Sequence, residues 1–182
     1  MRRILVAFLA AVLLALPAAA SAPKLAGSYN SSLLEREFYV FHDGGKIMIY
    51  VAGAKHVDRI QFVLRKCDVR RFNKELTRME NAFADYKDNR MVSETRRLDT
   101  SFPPVQVRWR DLRWNGVGKH YLVPYGTQLP DGRKVITIGG QLKSGKSVKT
   151  YCLSFANIEE VEEFKAVLLK AKAGESIAYN NR

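Results

Sequence analysis

Histidine and cysteine are scarce in this chain, with three His and two Cys among 182 residues. His42, His56 and His120 stand apart, and no His or Cys pair has metal-ligand spacing, so no metal and no cofactor is expected. Two cysteines, Cys67 and Cys152, exclude a multiply bridged scaffold and leave room for one disulfide. A serine-nucleophile elbow and a conspicuous carboxylate pair are also missing. Acidic residues are in deficit, 18 against 30 Lys and Arg, for a net charge of +12. Long apolar runs are missing too, except for one at the start.

That run, Ile4 to Leu16, follows Arg2 and Arg3, and Pro17 and small residues through Ala22 follow it. The order charged, apolar, small is that of a secretory signal peptide, expected over 1–20 with cleavage after Ala20. Cutting after Ala22 is the alternative, but it would leave Pro23 first. About 13 apolar residues are short for a helix that must cross roughly 30 Å of hydrocarbon. The expectation is export, to the bacterial periplasm or the cell exterior.

Without Arg2 and Arg3, 28 of the 30 basic residues face the same 18 acids, a net charge of +10. Such a balance suits an anionic glycan, lipopolysaccharide, a lipid surface or nucleic acid as partner. The remaining chain, 23–182, has a length that suits one domain.

Residues 23–34 read as a loose lead-in. Glu37 to His42 is a strand, Asp43-Gly44-Gly45 a turn, and Lys46 to Val51 a returning strand. Ile60, Phe62 and Leu64 alternate on a third. Val69, Phe72, Leu76, Met79, Phe83 and Tyr86 then recur every three or four residues, the stripe of an amphipathic helix from Val69 to about Lys87, with Asp68 as its N-cap. The later half repeats the order. Val135 to Ile138 and Tyr151, Leu153 and Phe155 are strands, and Asn157 caps a helix from Ile158 to about Lys172, with Glu160 at the capping-box position and Gly174 as the stop. At an offset of 89 the halves, about 36–90 and 104–174, align without a gap, Phe62 on Tyr151 and Val69 on Ile158. The fold expected is α+β, mainly antiparallel sheet with two principal helices, in a tandem β-β-β-α repeat. Between the halves Val105, Val107 and Trp109 alternate, a bulge is expected near Asp111, and Asn115-Gly116 reads as a hairpin turn. Pro124 should weaken the strand that returns from His120.

Three stretches could carry chemistry. Gly140 to Ser147 matches the phosphate-loop pattern G-x-x-x-x-G-K-[ST]. Such a loop must open a helix at Lys146, whereas Val148 to Phe155 alternates like a strand, so a glycine-containing hairpin is the better reading. Arg65, Lys66, Arg70 and Arg71 crowd the start of the first helix, where cations oppose the dipole. They make a candidate anion site, or simply a solvated basic face. Cys67 lies among them and would be a nucleophile in such surroundings. Arg108, Arg110, Arg113 and Trp114, with Trp109, interleave charge with aromatic rings, as a surface for single-stranded nucleic acid or sugar would. In a strand, the same pattern puts Trp109 in the core and the arginines in solvent.

The functional expectation is a non-catalytic binding or envelope-associated protein with an anionic partner. Its rivals are a secreted hydrolase or thiol enzyme using Cys67 with a histidine, and a structural subunit whose sheet edge pairs with another chain.

Overall fold

The computed structural model describes residues 22–51, 57–84, 95–111, 115–144 and 146–177. The expected signal peptide, Met91 and Val92, and Leu112, Arg113 and Trp114 lie outside them.

Among the described residues, ten strands and two α-helices make an α+β fold whose strand pairs are antiparallel. One sheet has the order β1 (Lys24–Ser31), β2 (Arg36–Asp43), β3 (Lys46–Val51), β4 (Val57–Arg65), β6 (Val105–Asp111), β7 (Asn115–His120). The other has the order β10 (Ser147–Phe155), β9 (Lys134–Ser144), β8 (Val123–Gln128), β5 (Thr95–Arg97). Helix α1 (Val69–Ala84) follows β4 through a 3-10 turn at Lys66–Asp68, and α2 (Ile158–Ala173) follows β10. Four consecutive antiparallel strands, β1–β4, precede α1, and three, β8–β10, precede α2. Shifted so that Val69 falls on Ile158, the last residue of α1, Ala84, falls on Ala173, the last of α2.

Period-two alternation decides which face of each strand is dry. On β2, Phe38, Val40 and His42 are buried, and on β3 and β4 their neighbours Ile47, Ile49, Phe62 and Leu64 continue the layer. The second sheet contributes Ile136, Ile138, Tyr151, Leu153 and Phe155. The two layers meet ring to ring, Phe62 to Tyr151 at 5.7 Å and Tyr29 to Phe155 at 5.3 Å. The helical stripe lands as its spacing requires, with Val69, Phe72, Leu76, Met79 and Phe83 all buried. Phe164 of α2 joins everything, with its ring 4.8 Å from Tyr29, 5.6 Å from Phe155 and 6.5 Å from Phe72. Helix α2 approaches β1 closely because Gly27 has no side chain. A Cβ there would stand 3.3 Å from Val167, on a backbone already at φ 155°.

Several local expectations fail for identifiable reasons. The lead-in contains β1, whose Leu25, Ala26 and Tyr29 are buried once β2 and α2 lie beside it. Asp68 does not cap α1. Its carboxylate is held by Arg65 inside the 3-10 turn, Nε to Oδ2 at 2.5 Å and Nη2 to Oδ1 at 3.1 Å. Asn115-Gly116 is not the turn but the start of β7, Asn115 opposite Arg110 and Gly116 opposite Trp109. The bulge near Asp111 is real but sits on the partner strand, between Val57 and Arg59. Pro124 lies within β8 and pairs with Ile138. Beside it β5 has already ended, and its remaining contact, Leu98 N to Pro124 O at 3.0 Å, needs only the carbonyl.

Candidate anion-binding site

The two helices are antiparallel neighbours. Asn73 donates to Lys165 O at 3.3 Å and Lys165 Nζ reaches Glu80 at 2.8 Å in the middle of the pair, while Lys66 and Arg70 at the start of α1 lie near Lys172 at the end of α2. The first turn of α1 is thereby set beside the last turn of α2. The side chains that meet there are cationic. Lys66 and Arg70, four residues apart, approach Lys172, and Lys66 Nζ would be 4.0 Å from a Cβ on Gly174. Partial burial, then the like charges of Arg70 and Lys66, push the Lys172 ammonium below its ordinary range.

Among the described residues none of Lys66, Arg70 and Lys172 has an acidic partner within ion-pair distance. Asp68 faces Arg65 instead, and that bidentate pair neutralises the fourth expected cation. Arg71 is exposed. Of the four basic residues expected here, Lys66 and Arg70 converge, while Arg65 is taken by Asp68. Sequence reasoning missed Lys172, because at a helix C-terminus a lysine is explained by the dipole alone. The C-terminal end of α2 places the negative end of its dipole near these cations, but a dipole end amounts to only about half a charge.

The other candidates are dispersed. Trp109 is buried on β6 with Lys149 Nζ 5.9 Å from its ring centre, while Arg108 points to solvent and donates to Gln106 Oε1 at 3.1 Å. Arg110 lies on β6, its side chain outside the described residues, as Arg113 and Trp114 are entirely. The phosphate-loop pattern is a hairpin. Ser144 pairs with Ser147, and β10 runs on as a strand to Phe155. Gly140 serves packing, since a Cβ there would lie 2.5 Å from Tyr151 Oη.

The two cysteines do not meet. Cys67 is an exposed free thiol on the 3-10 turn, and Cys152 is a half-buried one on β10, with Sγ 3.4 Å from Ser154 Oγ. The strand-to-helix joints that carry them belong to different sheets, so the bridge expected as one option is not formed. His42 is hydrogen-bonded to Glu175 O at 3.0 Å and His120 packs edge-on to Tyr151 at 5.7 Å. Among the described residues no three His, Cys, Asp or Glu side chains group as metal ligands, and no helix is long and apolar enough to cross a membrane. The chain matches no protein-family model, no curated protein and no solved structure.

Proposed function

We propose that this is an exported, non-catalytic binding protein whose anionic partner docks on the basic end formed by Lys66, Arg70 and Lys172. The observation that carries the reading is that Lys66 of the 3-10 turn, Arg70 of α1 and Lys172 near the end of α2 lie together, without an acidic partner among the described residues. Like charges held together raise the energy of the empty state, and an anion relieves that repulsion when it binds. The excess of 30 basic over 18 acidic residues adds a long-range attraction for the same partner.

The test is retention on immobilised heparin and on anionic vesicles across a salt series. The full chain should be retained at low salt and released as salt rises, because screening shortens the reach of exposed charges to about 8 Å near physiological ionic strength. Lys66→Glu with Lys172→Glu should elute at distinctly lower salt than the parent. Retention that ignores salt, or that survives this double substitution unchanged, counts against the reading. For the thiol-enzyme alternative, Cys67 is exposed, and among the described residues His42 and His120 each contact another group, while His56 lies outside them.

A further inference from the structure

Helix α2 leaves one line of residues facing solvent. Glu159, Glu162, Ala166, Leu169 and Ala173 recur every three or four positions, and all are exposed. Glu163 and Lys170 are exposed as well. They are separated by close to two full turns, so they flank that line on the same side. Among the described residues neither has an ion-pair partner in its own chain. The face is acidic in its first half, and apolar and basic in its second. Leu169 is 50 % exposed, the only large apolar side chain on either helix that solvent reaches so freely. On α1, Arg70, Arg71 and Lys74 are exposed at the end that lies beside the basic half of α2, and no exposed residue of α1 is acidic. A helix dipole favours acids early and bases late. It gives no reason for an exposed leucine between them, nor for cations at the amino end of α1.

We infer that this face binds a second copy of the chain, α2 against α2 in antiparallel, about a twofold axis near Ala166. Reversed in direction, the acidic half of one helix meets the basic half of the other. Glu163 then stands opposite Lys170 of the second copy, and symmetry makes that contact twice. A parallel arrangement would set acid on acid, so charge fixes the orientation. Ala166 leaves room at the centre, and Leu169 of each copy loses water by packing beside it. The exposed cations of α1 add to the field that draws in the acidic half. Two helices of 16 residues side by side span about 24 Å by about 20 Å, a small footprint that makes the dimer reversible rather than obligate. The inference does not rest on the anion site, because neither Glu163 nor Lys170 belongs to it.

The experiment is sedimentation equilibrium of the full chain over a concentration series at fixed salt. The parent should follow a monomer–dimer equilibrium. Glu163→Lys and Lys170→Glu should each weaken the dimer by about tenfold, because each sets like charges opposite one another. The first raises the net charge and the second lowers it, so a shared loss reports the contact and not overall repulsion. The chain carrying both substitutions should recover the parent's dimerisation to within about threefold. An equimolar mixture of the two single variants should associate more tightly than either alone. All these chains share residues 1–20, so association through that apolar run would not respond to the changes. The doubly substituted chain keeps Lys66, Arg70 and Lys172, so its retention on heparin should match the parent's. A dimer without retention, or retention without a dimer, therefore separates failure of one reading from failure of the other. The inference is overturned if the parent stays monomeric at every concentration, if complexes grow beyond two copies, if either single variant dimerises like the parent, or if the double substitution does not restore the dimer.

Discussion

Glu160 occupies the third position of α2, where a capping box would turn its carboxylate back to the N-cap amide. It is 8 % exposed and reaches elsewhere, accepting from Ala156 N at 2.8 Å, Ser32 N at 3.1 Å and Ser32 Oγ at 2.5 Å. It thus fastens the β1–β2 turn to the start of α2 across 128 positions of chain. Glu160→Ala would remove three hydrogen bonds to a charged acceptor from partly buried donors and should cost about 2 kcal/mol, read by urea unfolding. Asn157 caps as its type suggests, taking Glu160 N at 2.9 Å, and Asn157→Ala should cost about 1 kcal/mol. The tyrosines give a pH test. Burial pushes Tyr151 from its ordinary 10.0 up to about 12, and burial, with Cys152 and Glu160 nearby, also raises Tyr29 well above its ordinary value. Between about 10 and about 12 the unfolded chain has lost phenolic protons that the folded chain keeps, so stability falls as pH rises through that window. Tyr151→Phe should flatten that fall, measured as Tm against pH.

At the scale of elements, the helix pair is tied by one partly buried ion cluster. Lys165 Nζ lies 2.8 Å from both Glu80 and Glu162. Desolvation raises the Glu80 carboxyl above its ordinary value, and Lys165 opposes the rise. Lys165→Met would strand a buried carboxylate and should cost about 3 kcal/mol near neutral pH. Protonating Glu80 removes the stranded charge, so the difference from the parent should shrink as pH falls toward that group's titration. Denaturant curves at several pH values check both statements. The β9–β10 hairpin makes a simpler prediction. With a strand after Ser147, no helix N-terminus holds phosphate, so Lys146→Ala should leave both Tm and its response to ATP unchanged.

For the whole molecule, one aromatic side chain holds two sheets and two helices together. Phe164→Ala should cost about 3–5 kcal/mol, more than any cap, because the rings of Tyr29, Phe155 and Phe72 would lose a common neighbour. The free thiols predict that a reductant leaves Tm unchanged and that a thiol reagent labels Cys67 in the folded state faster than Cys152. A reductant-dependent Tm would mean that the sulfurs are joined.

The α+β class, both helices and their buried stripes could be read from periodicity, because alternation and 3.6-residue spacing are local signals that burial must obey. The C-terminal helix was legible to its ends, since Asn157 and Gly174 satisfy backbone groups within a few residues. The pairing of β1 with β2, the diversion of Asp68 to Arg65 and of Glu160 to Ser32, and the separation of the cysteines depended on neighbours distant in sequence or on competition for a single acceptor. The same holds for the candidate sites. Arg70 was visible as a helix-opening cation, but only the antiparallel docking of α1 on α2 brings Lys172 beside it. Only the docking of α2 on β1 and α1 leaves Leu169 in solvent among charged neighbours, because burial is set by the elements that cover a helix and not by the helix's own spacing.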